Sequence, residues 1–183
     1  SNTFLNSGQP TEYSTFASPG WALDVEGARL RNKEGELYYI ERPHNIVISN
    51  NVEKNSYEGA FIAAIGDHID IIKNTTESRL GIGQSSFVTI TDNKVTYNDS
   101  SHTEKFAILN GHDGETTFYP ITDGVPLENN IIANNELRNA GIFISGSNTD
   151  IYYNTIINAP LAFSIYRAKD TNIFNNKAVV DND

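Results

Sequence analysis

Cysteine and methionine are both absent from this chain of 183 residues. Without a thiol the protein can form neither a disulfide framework nor a thiolate-bound zinc site. The absence of cysteine gives no indication of an oxidising or a reducing compartment. Basic residues are scarce as well, with 13 Lys and Arg against 23 Asp and Glu, for a formal net charge of -10. This deficit of cations argues against binding nucleic acid through its phosphates.

Long apolar runs are also missing. No run approaches the roughly 18 residues of a membrane span, and no signal peptide is visible. The length suffices for one domain with a sizeable core, so we predict a single domain over residues 1–183. Because the chain starts and stops within repeat-like residues, with Asn2 and Phe4 resembling the tail of a preceding repeat, we expect a piece of a longer protein.

What the chain does contain is a repeat, in which an isoleucine is followed three residues later by an asparagine. It occurs six times, as Ile48–Asn51, Ile71–Asn74, Ile90–Asn93, Ile132–Asn135, Ile151–Asn154 and Ile173–Asn176. A second short apolar run follows most of these asparagines, at Ala60–Ile65, Leu80–Gly83, Phe106–Leu109, Gly141–Ile144 and Leu161–Ile165. Short β-branched runs punctuated by Asn, Gly and Asp exclude helical repeats.

This period predicts an all-β solenoid of six to seven coils. Each coil of about 21 residues would hold two or three strands, which pair in parallel with their equivalents about 4.8 Å away. The isoleucines then stack inward. The asparagines are expected at a corner near the left-handed region, where their amides can bond to neighbouring coils. The double interval between Asn93 and Asn135 predicts one coil with inserted loops at about 94–125.

The I-x-x-N repeat, as in Asn45–Val52 (NIVISNNV) and Thr171–Asn176 (TNIFNN), resembles the right-handed parallel β-helix proteins of the pectate-lyase-like group. The resemblance extends from about Trp21 to Asn176. That group includes polysaccharide lyases, glycoside hydrolases, epimerases, phage tailspikes and adhesins, so it implies a fold more than an activity. It further implies that a substrate would lie along the outer face of one stacked sheet, beside the long loops.

Alternation along the second apolar runs predicts which side chains face that substrate. If Ile62, Ile82, Ile108, Ile144 and Ile165 point inward, their neighbours point outward. Those neighbours are Phe61 and Ala63, Gly81 and Gly83, Ala107 and Leu109, Phe143 and Ser145, and Ser164 and Tyr166.

Two acids form the first candidate site. In the alternating stretch around Trp21–Gly27, Leu23 and Val25 share one face, while Asp24 and Glu26 share the other. Their Cα atoms would lie about 6.6 Å apart. Such a pair can divide into a general acid and a base or nucleophile for glycoside hydrolysis, or can bind a divalent cation. The alternative is two solvated carboxylates on the polar face of an end coil.

The second candidate lies in the inserted coil, at Asn110–Glu115 (NGHDGE). His112 with Asp113 or Glu115 could act as a base oriented by a carboxylate, although most loop histidines are simply solvated. Asp67 and His68 stand at a corresponding corner two coils earlier, where packing is the blander role. Further substrate contacts are predicted from the aromatic residues Phe61, Tyr119, Phe143 and Tyr166 and from the basic pair Arg167 and Lys169.

The sequence is compatible with three functions. The first is an enzyme that cleaves a polysaccharide, as a hydrolase before a lyase, and the second is a glycan-binding or tailspike-like adhesion shaft. The third is a purely structural spacer, which would need neither long loops nor outward aromatic residues. The calcium-binding Asp cluster of pectate lyases and the G-H-G signature of polygalacturonases are not visible, and Gly111–Asp113 departs from the latter. We expect no required cofactor, or Ca²⁺ for a lyase, with a glycan as partner and neither nucleic acid nor membrane. We also expect a homotrimer or further coils that cap the solenoid, and an extracellular, cell-surface or virion location.

Overall fold

The computed structural model describes residues 1–7, 20–34, 37–57, 59–98, 105–111 and 126–180. Within these ranges every regular element is a β-strand, and nearly all strands belong to three sheets whose pairings are all parallel. The chain is therefore a parallel β-helix, as the repeat predicted. No helix in the described ranges has the length and apolar character needed to cross a bilayer.

Each complete coil contributes one strand to each sheet, in the order A, B and C. Sheet A comprises β1 (Thr3–Leu5), β6 (Val52–Lys54), β9 (Thr75–Thr76), β12 (Lys94–Thr96), β15 (Glu136–Arg138), β18 (Thr155–Ile157) and β21 (Lys177–Val179). Sheet B comprises β2 (Trp21–Glu26), β7 (Gly59–Ala64), β10 (Leu80–Gly83), β13 (Phe106–Asn110), β16 (Gly141–Ile144) and β19 (Phe163–Ile165). Sheet C comprises β5 (His44–Ser49), β8 (Asp67–Ile72), β11 (Ser86–Thr91), β14 (Ile131–Ala133), β17 (Asp150–Tyr152) and β20 (Asn172–Phe174).

One excursion leaves this stack in the first coil. An antiparallel pair, β3 (Ala28–Arg31) and β4 (Leu37–Glu41), extends between β2 and β5.

The isoleucines of the repeat form a continuous column on the inner side of sheet C. The register joins Ile48, Ile71, Ile90, Ile132, Ile151 and Ile173 in successive strands. The first five are buried and the last, in the end strand, is half-buried. Burying each such side chain contributes about 1.5–3 kcal/mol of transfer free energy, so this column is a main part of the core.

The asparagines of the repeat form a hydrogen-bonded ladder at the corner between sheets C and A. The side-chain oxygen of Asn93 accepts bonds from both the backbone and the side-chain nitrogens of Asn74, at 2.9 and 3.1 Å. The same pair of bonds joins each successive asparagine from Asn51 to Asn176. Asn2 adds a further rung, because its backbone and side-chain nitrogens both donate to Asn51. The stacking of amides predicted from the sequence is thus confirmed.

The predicted backbone conformation of these asparagines is wrong. The left-handed residue is the one before each ladder position, namely Asn50, Lys73, Asp92, Asn134, Tyr153 and Asn175, with φ between 54° and 57°. These residues turn the chain and expose their side chains to solvent. The ladder asparagines turn inward instead, because their amides must reach the neighbouring coils.

The long interval between Asn93 and Asn135 is one coil, as predicted. Asn93 donates directly to Asn135 at 3.0 Å, and β12 pairs with β15. Most of the inserted loops predicted at about 94–125 lie outside the described residues.

The inner and outer faces of sheet B agree with prediction for β10 and β16 but not for β7, nor for Ala107 of β13, which is buried in the core where the register shifts. Phe61 is fully buried in the core and packs edge-on against Phe4, at 5.5 Å between ring centroids. Ala63 is also in the core, so Ile62 and Ala64 take the outer positions. Ile165 continues the inner column of Ile144 but is 60% exposed, because β19 is the end strand of sheet B.

Candidate functional site

Asp24 and Glu26 lie together on the outer face of β2, the end strand of sheet B. Strand β2 alternates because Leu23 and Val25 pack against the core, which leaves the two acids exposed to solvent. The predicted placement of the pair on one outward face is therefore confirmed. We call this region, with its neighbours Trp21, Ile62 and Gly81, the acid-pair face.

The neighbours of the two acids on the next coils are Ile62 and Ala64, not Ala63. Asp24 is aligned with Ile62, and Glu26 with Ala64. The following strand brings Gly81 and Gly83 into the same two rows. Small residues therefore flank Glu26 along two coils, which leaves room above the sheet on that side of the acid-pair face.

The carboxyl group of Asp24 has a shifted acidity. Partial burial by neighbouring atoms and, as the smaller cause, the nearby charge of Glu26 together raise its pKa from 3.8 to about 6. The residue keeps an exposed surface, so the group remains accessible to solvent and to a ligand. A carboxyl group that stays protonated up to about pH 6 can serve as a general acid, which an ordinary aspartic acid cannot do near neutrality.

Trp21 is a member of this face that sequence reasoning missed. Its indole lies against Gly59 and Gly81, and a methyl group at Gly81 would come within 2.7 Å of Trp21 Cη2. The guanidinium carbon of Arg79 lies 5.9 Å from the centre of the indole ring. Two glycines on successive coils thus make the space for one aromatic side chain. Its signal in the sequence was its position three residues before Asp24, as the only tryptophan.

The aromatic residues predicted further along sheet B lie far from the acids. Phe143 is half-buried on the outer side of β16 and packs against Phe106, with 5.4 Å between ring centroids. Four strand spacings separate β16 from β2, which corresponds to about 19 Å. Phe143 could therefore contact only a distant part of an extended polymer, and the buried Phe61 is removed from the candidate contacts.

The predicted basic cluster lies at the opposite end of sheet B from the acid-pair face. The guanidinium carbon of Arg167 lies 4.9 Å from the ring centre of Tyr166, and both residues are exposed. Lys169 is exposed nearby, and its carbonyl accepts a bond from the backbone nitrogen of Asn148. With β2 and β19 at the two edges of sheet B, these cations do not join the acid pair.

Asp67 and His68 are brought together, but on sheet C. Asp67 Oδ1 lies 2.7 Å from His68 Nδ1, and Arg42 approaches Asp67 Oδ2 at 3.9 Å. Arg42 also donates to the carbonyl of Gly66 at 2.5 Å, which holds it at the corner between sheets B and C. The imidazole of His68 faces outward from sheet C and stacks on Phe87. The sequence found this residue pair but not its aromatic neighbour.

The remaining predicted residues, His112, Asp113 and Tyr119, lie outside the described residues, as does Glu115. Across the part of the chain that is described, no group of three or more His, Asp or Glu side chains is arranged to hold a metal ion. Two carboxyl groups on one strand face are residue types that can exchange protons with a bound ligand.

Comparisons with known proteins assign no family to this arrangement. No protein-family model, curated protein or solved structure gives a significant match to this chain.

Proposed function

We propose that this protein cleaves a polysaccharide by hydrolysis on the acid-pair face of sheet B. The observation that carries the proposal is the raised pKa of Asp24, about 6, beside the second carboxylate of Glu26 on the same strand face. Glycoside hydrolysis uses one carboxyl group that donates a proton and a second carboxyl group near it. The resemblance of the repeat to pectate-lyase-like β-helix proteins adds support for a glycan substrate.

In the proposed reaction Asp24, in its protonated form, donates its proton to the glycosidic oxygen as the bond to the anomeric carbon breaks. Glu26 then either attacks that carbon to form a covalent glycosyl intermediate, or removes a proton from the water that attacks it. In both cases the products are one reducing end and one freed hydroxyl, at the net expense of one water molecule. The face is open enough for a chain to lie across β2, β7 and β10.

Trp21 is suited to bind a sugar ring beside the acids. An aromatic ring offers a flat apolar surface to the C–H faces of a pyranose. Its packing against Gly59 and Gly81, with Arg79 close to its ring, holds the indole in one place. A platform that is already fixed binds with a smaller loss of side-chain entropy than a mobile one.

A glycan-binding or tailspike-like shaft is the second candidate function. The observation that favours it is the exposure of aromatic side chains far from the acids, including Tyr166 at 40% and Phe174 at 43%. In a shaft these residues would bind a polymer and no single carboxylate would be essential. Both candidates place the protein where polysaccharides are met, outside a cell, on its surface or on a virion.

The test is depolymerisation of neutral and acidic glycans by the parent protein, Asp24→Asn and Glu26→Gln. Asp92→Asn is the matched control, because it removes one exposed acid at a turn remote from sheet B. We expect the parent and the control to release reducing ends, and each acid-pair variant to lose activity by about 100-fold or more. Equal activity in all four proteins would refute the acid pair. Binding without cleavage would favour the shaft, and unsaturated products absorbing in the ultraviolet would indicate a lyase.

A further inference from the structure

A groove lies on the outer face of sheet C, away from the acid-pair face. It has a volume of about 490 Å³ and crosses four consecutive strands, β5, β8, β11 and β14. We call it the sheet C groove. Its described lining is Asn45, Ile46, Val47, His68, Asp70, Phe87, Thr89, Asn129 and Ile131.

The centre of the groove is a pair of stacked rings. His68 and Phe87 lie 4.8 Å apart between ring centroids with 14° between their planes. The side chain of His68 is 59% exposed and Phe87 is 48% exposed. Exposed aromatic rings on neighbouring coils can contact a ligand directly, and contiguous exposed apolar groups often mark a binding site.

The backbone of both ring-bearing residues is left-handed. The same turn position in successive coils is occupied by Asn45, His68, Phe87, Asn129, Asn148 and Asp170, all left-handed with φ between 47° and 57°. Four of the six are Asn or Asp, the residue types that tolerate this conformation best. A bulky phenylalanine is an outlier there. The fold therefore favours Asn at this position, and two coils carry rings against that preference.

A carboxylate lies behind the imidazole of His68. Asp67 Oδ1 lies 2.7 Å from His68 Nδ1, and Arg42 fixes the corner through Gly66 and Asp67. This leaves Nε2 and the ring edge of His68 directed away from Asp67. The exposed edge of the imidazole is therefore available to a ligand on the outer side of sheet C.

Polar groups of one kind surround the rings. The side chains of Asn45, Asn129, Asp70 and Thr89 supply amide, carboxylate and hydroxyl groups, which hydrogen-bond well to sugar hydroxyls. No lysine or arginine is among the described residues of the lining, and Asp70 adds a negative charge. Such a surface repels phosphates and uronic acids, in a chain whose net charge is already -10.

We infer that the sheet C groove is a second glycan site, which binds an uncharged oligosaccharide by stacking a sugar ring on Phe87 and His68. This rests on the proposed function, because it gives the substrate class as a neutral polysaccharide and adds a holding site separate from the cleavage site. A further stacked pair on the same outer face, Tyr152 and Phe174 with 5.1 Å between centroids, extends the aromatic surface toward the far end of sheet C. The ligand is therefore a chain of several sugars.

The test measures binding of cellohexaose, xylohexaose and mannohexaose by calorimetry and by saturation-transfer NMR, with tetragalacturonate as the anionic comparison. The informative variants are Phe87→Asn and His68→Asn, because Asn suits the left-handed backbone and both variants should fold. Lys73→Asn is the matched control, since it introduces the same residue at an exposed left-handed position outside the groove. A urea-unfolding curve checks that each variant is folded.

We expect at least one neutral hexaose to bind at about 1 mM or below, and its affinity to fall about tenfold in each groove variant. Asp24→Asn and Glu26→Gln should bind as the parent does while losing cleavage, which separates this site from the proposed active site. Conversely, the groove variants should still cleave short soluble substrates. No binding of any neutral hexaose, binding unchanged in both groove variants, or binding of tetragalacturonate alone would overturn the proposal.

Discussion

The side-chain nitrogen of Asn74 donates a hydrogen bond to the backbone carbonyl of Ile48, one coil earlier, at 2.9 Å. The same bond joins Asn93 to Ile71, Asn135 to Ile90, Asn154 to Ile132 and Asn176 to Ile151. In each case the acceptor is the isoleucine that lies three residues before the preceding ladder asparagine. The isoleucine of each I-x-x-N unit therefore has two roles. Its side chain fills the core, and its backbone carbonyl accepts the hydrogen bond from the asparagine of the next coil.

The first prediction concerns Asn93, at the middle of this ladder. Its amide accepts two bonds from Asn74 and donates to Ile71, Thr91 and Asn135, while the residue is 1% exposed. Asn93→Ala leaves several buried polar groups without partners, so we expect the free energy of unfolding to fall by about 3 kcal/mol. Urea denaturation measures this. The exposed Asn98→Ala is the control, and a similar loss in both would contradict a special role for the ladder.

The core column and the ladder could be predicted from the sequence because the period of the repeat reports them directly. The orientation of β7 could not. Gly59–Ala64 is apolar at every position, so alternation gives two equivalent assignments and Phe61 and Ile62 can exchange faces without any change in pattern. In the structure, Gly59 of β7 and Gly81 of β10 leave the space that the Trp21 ring occupies on the outer side. That relationship crosses coils and has no local signal.

The second prediction concerns the left-handed residue that precedes each ladder asparagine. Lys73 adopts φ 56° with an exposed side chain, whereas the equivalent residues in three other coils are asparagines. Because Asn tolerates this backbone better than Lys does, Lys73→Asn should raise the free energy of unfolding by about 0.5–1 kcal/mol. The control is Lys94→Asn on strand β12, which should not stabilise the protein. Equal effects of the two changes on the urea midpoint would show that backbone conformation is not the cause.

The third prediction concerns Glu53, a buried acid on sheet A with 1% exposure. Its carboxylate accepts four bonds, from the backbone nitrogens of Ser56, Glu77 and Ser78 and from the hydroxyl of Ser78. Glu53→Gln would point an NH₂ group at backbone donors, so we expect a loss of about 2–3 kcal/mol. Glu136→Gln, in an accessible pair with Arg138, should cost under about 1 kcal/mol. Thermal unfolding of both variants compares the two losses of stability. An equally small loss in Glu53→Gln would show that the backbone around Glu53 rearranges to satisfy its hydrogen bonds.

The candidate sites show the same division between local and cross-coil information. Asp24 and Glu26 were found because two residues on one strand share a face whatever the rest of the chain does. The stacking of His68 on Phe87 joins residues 19 positions apart and depends on the register of β8 with β11. The sequence indicates Asp67 and His68 as neighbours at a corner. Their position on sheet C rather than sheet B follows only from the way the strands are divided among the sheets.

The fourth prediction is the pH dependence of Asp24. Its pKa is about 6 in the folded protein, against an ordinary value of 3.8, through burial first and the charge of Glu26 second. Between these values the folded state binds more protons than the unfolded state, so the contribution of Asp24 to stability falls as pH rises from about 4 to about 6. Asp24→Asn removes the titrating group, and with it this loss of stability at higher pH. It should therefore match the parent at about pH 3 and exceed it in unfolding free energy at about pH 7.

Urea midpoints of the parent and Asp24→Asn across this pH range test the sign, and NMR of the carboxyl carbon measures the pKa itself. Glu26→Gln provides the matched control, because it removes the second cause and leaves the first. In that variant the pKa of Asp24 should decrease but stay above 3.8. A pKa that returned fully to its ordinary value would show that charge repulsion, not burial, is the main cause. In the parent, cleavage should decline as pH rises past about 6, because the general acid is then deprotonated.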